Sequence, residues 1–240
     1  RRPMSSVNFI AAHDGFTLAD LTSHSRKHNL ANGEDGRDGR ADEPCANLGV
    51  EGAADDPAIG ERRGRVQRAL LATLLLAQGT PMLQAGDEIG RSQGGNNNAW
   101  NQDNPTGWIA WDRPDLELSA LVEAAAALRR RFPLLRHERW FSPRGGEPHV
   151  AWLAPDGREM RHDDWHAPQE QAFACALRAE GHDELWIGFN PDAQERRFTL
   201  PRGDWCIELD STAPLGAPAR ACDALSVPAH ALVVLRRVAA

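Results

Sequence analysis

Val7-Asn8-Phe9-Ile10-Ala11-Ala12-His13-Asp14-Gly15-Phe16-Thr17-Leu18 is the stretch from which the fold reads. An apolar run stops abruptly at His-Asp-Gly, and a helix-like segment follows. A buried parallel strand looks like this when it delivers polar residues to the mouth of an α/β barrel, where chemistry gathers at the carboxyl ends of the strands. His13 and Asp14 emerge there side by side, with Gly15 supplying the tight turn. The dipeptide alone has a plainer reading, as surface decoration, and its context decides between the two.

Residues 17–25 read as a short helix or turn with Leu18 and Leu21 as its apolar side. Residues 26–60 are polar and rich in Gly, Asp, Glu and Asn; a structureless loop of this length is usually functional or disordered. His24 and His28 stand four apart, as metal ligands on one helical face would. No carboxylate of the HExxH kind lies between them, so they read as two solvated rings and no metal is expected. Residues 61–78 give the clearest helical period. Val66, Ala69, Leu70, Thr73, Leu74 and Ala77 form its buried face, and Arg62, Arg63, Arg65 and Arg68 its solvated one. Gly79 stops the helix, and residues 80–88 read as a second short buried strand ending in Asp87-Glu88. Strand, helix and strand with tight joints make a βαβ unit, so Asp14 and Asp87-Glu88 open on the same rim.

Residues 90–112 form a second polar loop that holds Asn96-Asn97-Asn98, Trp100, Asp103, Trp108 and Trp111. Amide side chains carry a donor and an acceptor together and suit sugar hydroxyls, and the indoles offer flat faces to a pyranose ring. Asn-Gly turn chemistry with tryptophans covering a core explains the same residues. Residues 116–132 read as a second helix, stopped by Pro133. Past about residue 136 short apolar runs recur between turns, at 149–153, 173–178, 184–190, 196–200, 205–209 and 231–236, with the spacing of an all-β sandwich. No catalytic constellation appears there. His162, Asp163, Asp164 and His166 imitate a metal site but read as a solvated loop.

The 240 residues carry a net charge of -7, and no basic patch dominates, which argues against a nucleic-acid partner. Cys45, Cys175, Cys206 and Cys222 show no CxxC spacing, so reduced thiols in a cytoplasmic protein are expected rather than a zinc ribbon or a redox pair. No apolar run approaches 18 residues, so no membrane span is expected. The chain opens without Met and almost directly on a strand, which suggests a fragment whose strand partners lie upstream.

The stretch 7–39 resembles the fourth conserved region of the α-amylase superfamily, glycoside hydrolase family 13. More narrowly, it is similar to the glycogen debranching and isoamylase branch. The resemblance continues through Leu48-Gly49-Val50-Glu51-Gly52, the helix around residues 65–71, Gln78-Gly79-Thr80-Pro81-Met82, Gly86-Asp87-Glu88 and the run from Gly95 to Asn104. It implies that residues 1–136 are the last part of a (β/α)8 barrel, strands seven and eight with their helices. Residues 137–240 would then be a C-terminal antiparallel β-sandwich. Asp14 takes the place of the family's third catalytic carboxylate, a transition-state stabiliser; His13, Asn98, Trp100 and Asp103 fall on substrate-binding positions. Asn101 stands where this branch commonly has Cys. Asp87 and Glu88 read as structural. The family's nucleophile and acid/base lie on earlier strands, so the chain is expected to need an upstream barrel segment and to be inactive alone. An α-glucan substrate such as glycogen and no cofactor are implied. The alternatives are a glucan-binding module without turnover and another family 13 activity, α-1,4 hydrolysis or transglycosylation.

Overall fold

The apolar run that begins at Val7 pairs over only two residues. In the computed structural model, which describes residues 1–214, 216 and 219–238, strand β1 is Val7–Asn8 and its partner β2 is Thr80–Pro81. Thr80 N donates to Ser6 O and Met82 N to Asn8 O, each at 2.8 Å. The numbers rise together on both strands, so the two run parallel. The expectation that both strands are buried, the second a short one over residues 80–88, is corrected here. Val7, Phe9 and Met82 are exposed, and the segment expected to continue β2 turns into a 3-10 helix at Asp87–Ile89. A two-stranded ladder has no further strand to cover its faces, and short parallel pairs are weak.

The chain folds as two units that interleave in sequence: Asn8–Leu74 with Pro81–Val122, and Arg1–Val7 with Leu75–Thr80 and Glu123–Ala240. The first of these carries helix α1 (Leu18–Leu21), where the Thr17 hydroxyl accepts from Asp20 N as N-cap. Helix α2 spans Pro57–Leu76. It starts four residues before the expected position because Asp56 Oδ1 accepts from Ala58 N at 2.9 Å and Pro57 occupies the first helical position. Helix α3 spans Leu116–Arg131 and is capped by Asp115, whose Oδ1 accepts from Glu117 N and Leu118 N at 3.0 Å each.

The face of α2 differs from the sequence reading. Leu71, Ala72, Leu74 and Leu75 are buried together with Arg63, Gln67 and Arg68, whereas Thr73 is exposed and Val66, Ala69, Leu70 and Ala77 are half-buried. Two of the four arginines assigned to solvent are therefore interior. Arg63 donates to the carbonyls of Asn47 (2.7 and 3.2 Å), Gly52 (2.6 Å) and Val50 (2.5 Å), and Arg68 pairs with Glu117. Burial of a guanidinium is offset only where its N–H groups find acceptors, and the polar loop supplies them.

The other unit holds the sheet. Strands β3 (His149–Leu153), β4 (Phe173–Arg178), β5 (Leu185–Asn190), β6 (Arg196–Thr199), β7 (Trp205–Asp210), β8 (Arg220–Ala221), β9 (Ala224–Val227) and β10 (Ala231–Arg237) make a six-stranded sheet, order β3-β4-β5-β10-β7-β8, and a pair β6-β9. Every pairing among these strands is antiparallel. Six were legible as short apolar runs between turns; β8 and β9, of two and four residues, were not. Leu153, Ala174, Trp186, Trp205, Val233 and Leu235 from the large sheet share a core with Phe198 and Val227 of the pair. Each fully buried side chain of this size contributes about 1.5–3 kcal/mol. Asn190 closes one end, its amide donating to Gln194 O, Val227 O and Pro228 O at 2.8–3.0 Å.

Outside this core, Asp164 of the 3-10 turn His162–His166 accepts from Arg158 and from Arg161 N. His162, Asp163 and His166 of that turn are exposed, as expected of a solvated loop, and Asp164 anchors it. The four cysteines are free, and burial pushes the Cys175 thiol up to about 12. Among the described residues no helix is long and apolar enough to cross a membrane.

Candidate functional site

Two polar loops, residues 26–56 and 90–112, are sewn together by amide side chains. Asn29 Nδ2 donates to Asn97 Oδ1 at 2.8 Å, and Asn97 N returns a bond to Asn29 Oδ1 at 3.1 Å. Asn96 Nδ2 donates to Asn32 Oδ1 at 2.7 Å, and Asn32 Nδ2 reaches both Asn96 Oδ1 (3.2 Å) and Asp38 Oδ2 (2.6 Å). Asn29, Asn32, Asn96 and Asn97 are all buried. Their donors and acceptors are spent on protein, so the readings of sugar contact and of turn chemistry divide by residue. The buried amides build the loop, and only exposed side chains are left for a ligand.

His13 and Asp14 are such side chains. Their exposures are 90% and 68%, and His13 Nε2 lies 3.1 Å from Asp14 Oδ2. The next residue fixes them in place. Gly15 N donates to Asn97 O at 3.0 Å, and Phe16 N donates to Glu43 Oε1 at 2.6 Å. Gly15 has φ +136° and a Cβ there would overlap Glu43, so only glycine fits the turn that follows Asp14. Glu43 Oε2 in turn accepts from Asn97 Nδ2 at 2.7 Å. Asp14 thus sits one residue from the seam between the turn at Gly15 and the asparagine loop.

On that loop Asn98 Nδ2 donates to Asp38 Oδ2 at 2.9 Å, while Asn98 Oδ1 accepts no hydrogen bond from the described residues. The donors Asn32 and Asn98 hold the Asp38 carboxyl below its usual range. Trp100 is 81% exposed, and Trp108 and Trp111 are also exposed, so none of the three covers a core. Asp103 is exposed, and its Oδ1 accepts from Trp108 Nε1 at 3.0 Å.

Asp20 and Asp87 are buried carboxylates of the same unit. Asp20 accepts from Ser92 Oγ (2.6 Å) and Gln93 N (2.8 Å). Asp87 accepts from Leu18 N at 3.0 Å, at the start of α1, which fits the structural role expected of it; Glu88 accepts from Gly86 N. His24, expected to be solvated, is buried against Phe16 and stacks edge-on with His28, ring centroids 5.1 Å apart. His28 Nε2 pairs with Glu51 Oε1 at 2.7 Å. Burial pushes the Glu51 carboxyl up, but hydrogen bonds from His28, Ser25 and Asn47 outweigh it and hold the group well below its usual range. Among the described residues no three His, Cys, Asp or Glu side chains converge as metal ligands would. Glu43 and Asp38 were missed in the sequence because the bonds that tie them to the asparagine loop come from Asn97 and Asn98, more than 50 residues away.

No family model matches the chain. It is 41% identical over 266 aligned residues to the glycogen operon protein GlgX homolog of Mycobacterium tuberculosis, across 99% of this chain and 36% of that protein. It is 43% identical over 233 residues to the glycogen debranching enzyme of Serratia proteamaculans, across 95% of this chain and 34% of that one. Among solved structures, the pullulanase from Bacillus acidopullulyticus superposes with a TM-score of 0.67 at 19% identity, over 98% of this chain and 24% of that one. The catalytic module of the glycogen-degrading pneumococcal factor SpuA, in complex with an inhibitor, gives 0.68 at 17%, over 100% and 37%. At such identities the structural likeness speaks for the fold alone. The chain spans about a third of the length of the curated relatives it matches. By these sequence relatives, the chain belongs to the glycogen debranching branch of glycoside hydrolase family 13.

Proposed function

We propose that the chain is the C-terminal portion of a cytoplasmic, retaining glycoside hydrolase that cleaves α-1,6 branch linkages of glycogen or related α-glucans. In this reading residues 1–136 complete a (β/α)8 barrel with an upstream segment, and residues 137–240 form its C-terminal β-sandwich domain. The observation that carries the reading is the seam at Gly15 and Asn97, which brings the exposed His13-Asp14 pair and the asparagine–tryptophan loop to one edge.

Asp14 does not form the covalent bond. Its carboxylate accepts hydrogen bonds from ring hydroxyls of the sugar at the cleavage point. The bonds tighten as the ring flattens and gains positive charge, which is catalysis by differential binding. His13, 3.1 Å from Asp14, orients that carboxylate and donates to the same sugar. Trp100 gives a stacking face, Asn98 Oδ1 and the second oxygen of Asp103 accept from hydroxyls, and Trp108 holds Asp103 in orientation. The nucleophile and the acid/base belong to the upstream segment, and the present chain alone turns over nothing.

Asp14→Asn in the full-length enzyme is the test. The variant keeps shape and some hydrogen bonding but loses the charge that the transition state uses. We expect kcat on a branched glucan to fall by about 10²-fold or more with glucan binding nearly unchanged. Near-normal turnover would remove Asp14 from the mechanism. Glucan binding by the chain with no turnover in the full-length protein would instead favour a binding module, a reading that the exposed tryptophans also permit.

A further inference from the structure

A cleft of about 610 Å³ lies in the unit that carries the sheet, lined by Arg2, Arg136, His137, Glu138, Arg139 and His182, with Pro133 as an apolar edge. Three arginines and two histidines line it with one glutamate, a local excess of cationic side chains in a chain of net charge -7. Like charges gathered in one place repel, and the protein supplies little to neutralise them. Arg2 meets Glu138 at 3.4 Å, both largely exposed.

The ridge that carries these groups is fixed. Gln78 Nε2 donates to His137 O (3.2 Å) and Arg139 O (2.9 Å), and Arg136 donates to Arg129 O (2.8 Å) and Arg130 O (3.2 Å). The Arg139 guanidinium makes no hydrogen bond or ion pair with the described residues. The His182 ring has only an edge contact with His137, ring centroids 6.0 Å apart.

We propose that this cleft binds the phosphate group of a small phosphorylated metabolite. A guanidinium fork matches two phosphate oxygens at once, and imidazoles complete the shell as further donors. The cleft is far larger than a bare phosphate and falls within the size range of small-molecule sites, so an organic remainder shares it. The proposal does not rest on Asp14 or on the glucan site.

The test is titration calorimetry on the full-length polypeptide with glucose 1-phosphate, inorganic phosphate and glucose. One saturable site per chain for glucose 1-phosphate is expected, with weaker binding of inorganic phosphate and none of glucose at this cleft. Arg139→Ala and His182→Ala should each weaken binding at least about tenfold with unchanged thermal unfolding, since neither side chain supports the fold. Arg139→Lys, which keeps the charge and loses the fork, should fall between. Absence of saturable binding, inorganic phosphate binding as tightly as the sugar phosphate, or affinity unmoved by both alanine variants overturns the proposal.

Discussion

Asp87 is 2% exposed, and burial pushes its carboxyl from 3.8 up to about 6. The hydrogen bond from Leu18 N pulls the other way and loses. Between about pH 4 and 6 the folded chain holds this proton while the unfolded chain has released it. Stability therefore falls as pH rises through that window, by about 3 kcal/mol in total, and stays at the lower value above it. Asp87→Asn keeps an oxygen for Leu18 N and removes the buried charge. Thermal unfolding followed from pH 4 to 8 should show the variant more stable than the parent above pH 6, by about 2 °C or more, with the decline through the window reduced. A variant less stable at pH 7.5 would mean that the ionised form is better satisfied than burial suggests. His13 and Asp14 could be found in the sequence because an apolar run ended on them. Glu43 and Asp38 could not, because what matters about each is a partner more than 50 residues away.

The elements show why periodicity sufficed for the sheet and misled on α2. The sheet strands read as short apolar runs between turns, continuous in β5 and β10 because both of their faces are buried, and the strand bounds agree within a residue or so. In α2, charge was taken as a sign of solvent, yet Arg63 is interior and gathers the carbonyls of Asn47, Val50 and Gly52. A polar loop with little regular secondary structure has backbone acceptors to satisfy, and a long cation rooted on a helix can do so. Arg129 does the same for the end of α2, donating to Leu75 O, Ala77 O and Gly79 O. Truncation of Arg63 would take the donor from the part-buried carbonyls of Asn47, Val50 and Gly52 and break four bonds that hold the loop. Arg63→Ala should cost about 3 kcal/mol or more and should make the loop of residues 26–56 the first site of proteolytic nicking. Arg62→Ala, one position along on the exposed side, should be close to neutral. Equal effects from the two substitutions would return Arg63 to the solvated face.

At the scale of the whole molecule, the two units differ in how far they are closed. One leaves Phe9 and Met82 in water, whereas in the other the core between the large sheet and β6-β9 draws all its buried residues from 153–235. The opposite face of the large sheet is also interior, with Val150, Cys175, Leu177, Ile187, Leu232 and Val234 buried. In the same unit the end of α3 and the turn after it bury Leu128, Phe132, Leu134 and Leu135. Arg131 ties that end to Glu208 of β7 at 2.6 Å, and Glu208 also receives Arg236 of β10 at 2.7 Å. The fold of the sheet therefore begins before the composition change near residue 136 that marked its start in the sequence. A polypeptide of residues 123–238 should fold cooperatively as a monomer, with Trp186 and Trp205 shielded from quenchers. Arg129, deprived of its acceptors on residues 75–79, turns to water there at little cost. A polypeptide of residues 140–238 lacks the cover for its second face and should bind hydrophobic dyes and self-associate. Size-exclusion chromatography and tryptophan fluorescence on the two pieces decide the point. Equal stability of both would place the edge of this folding unit after α3 and make residues 123–136 a dispensable neighbour.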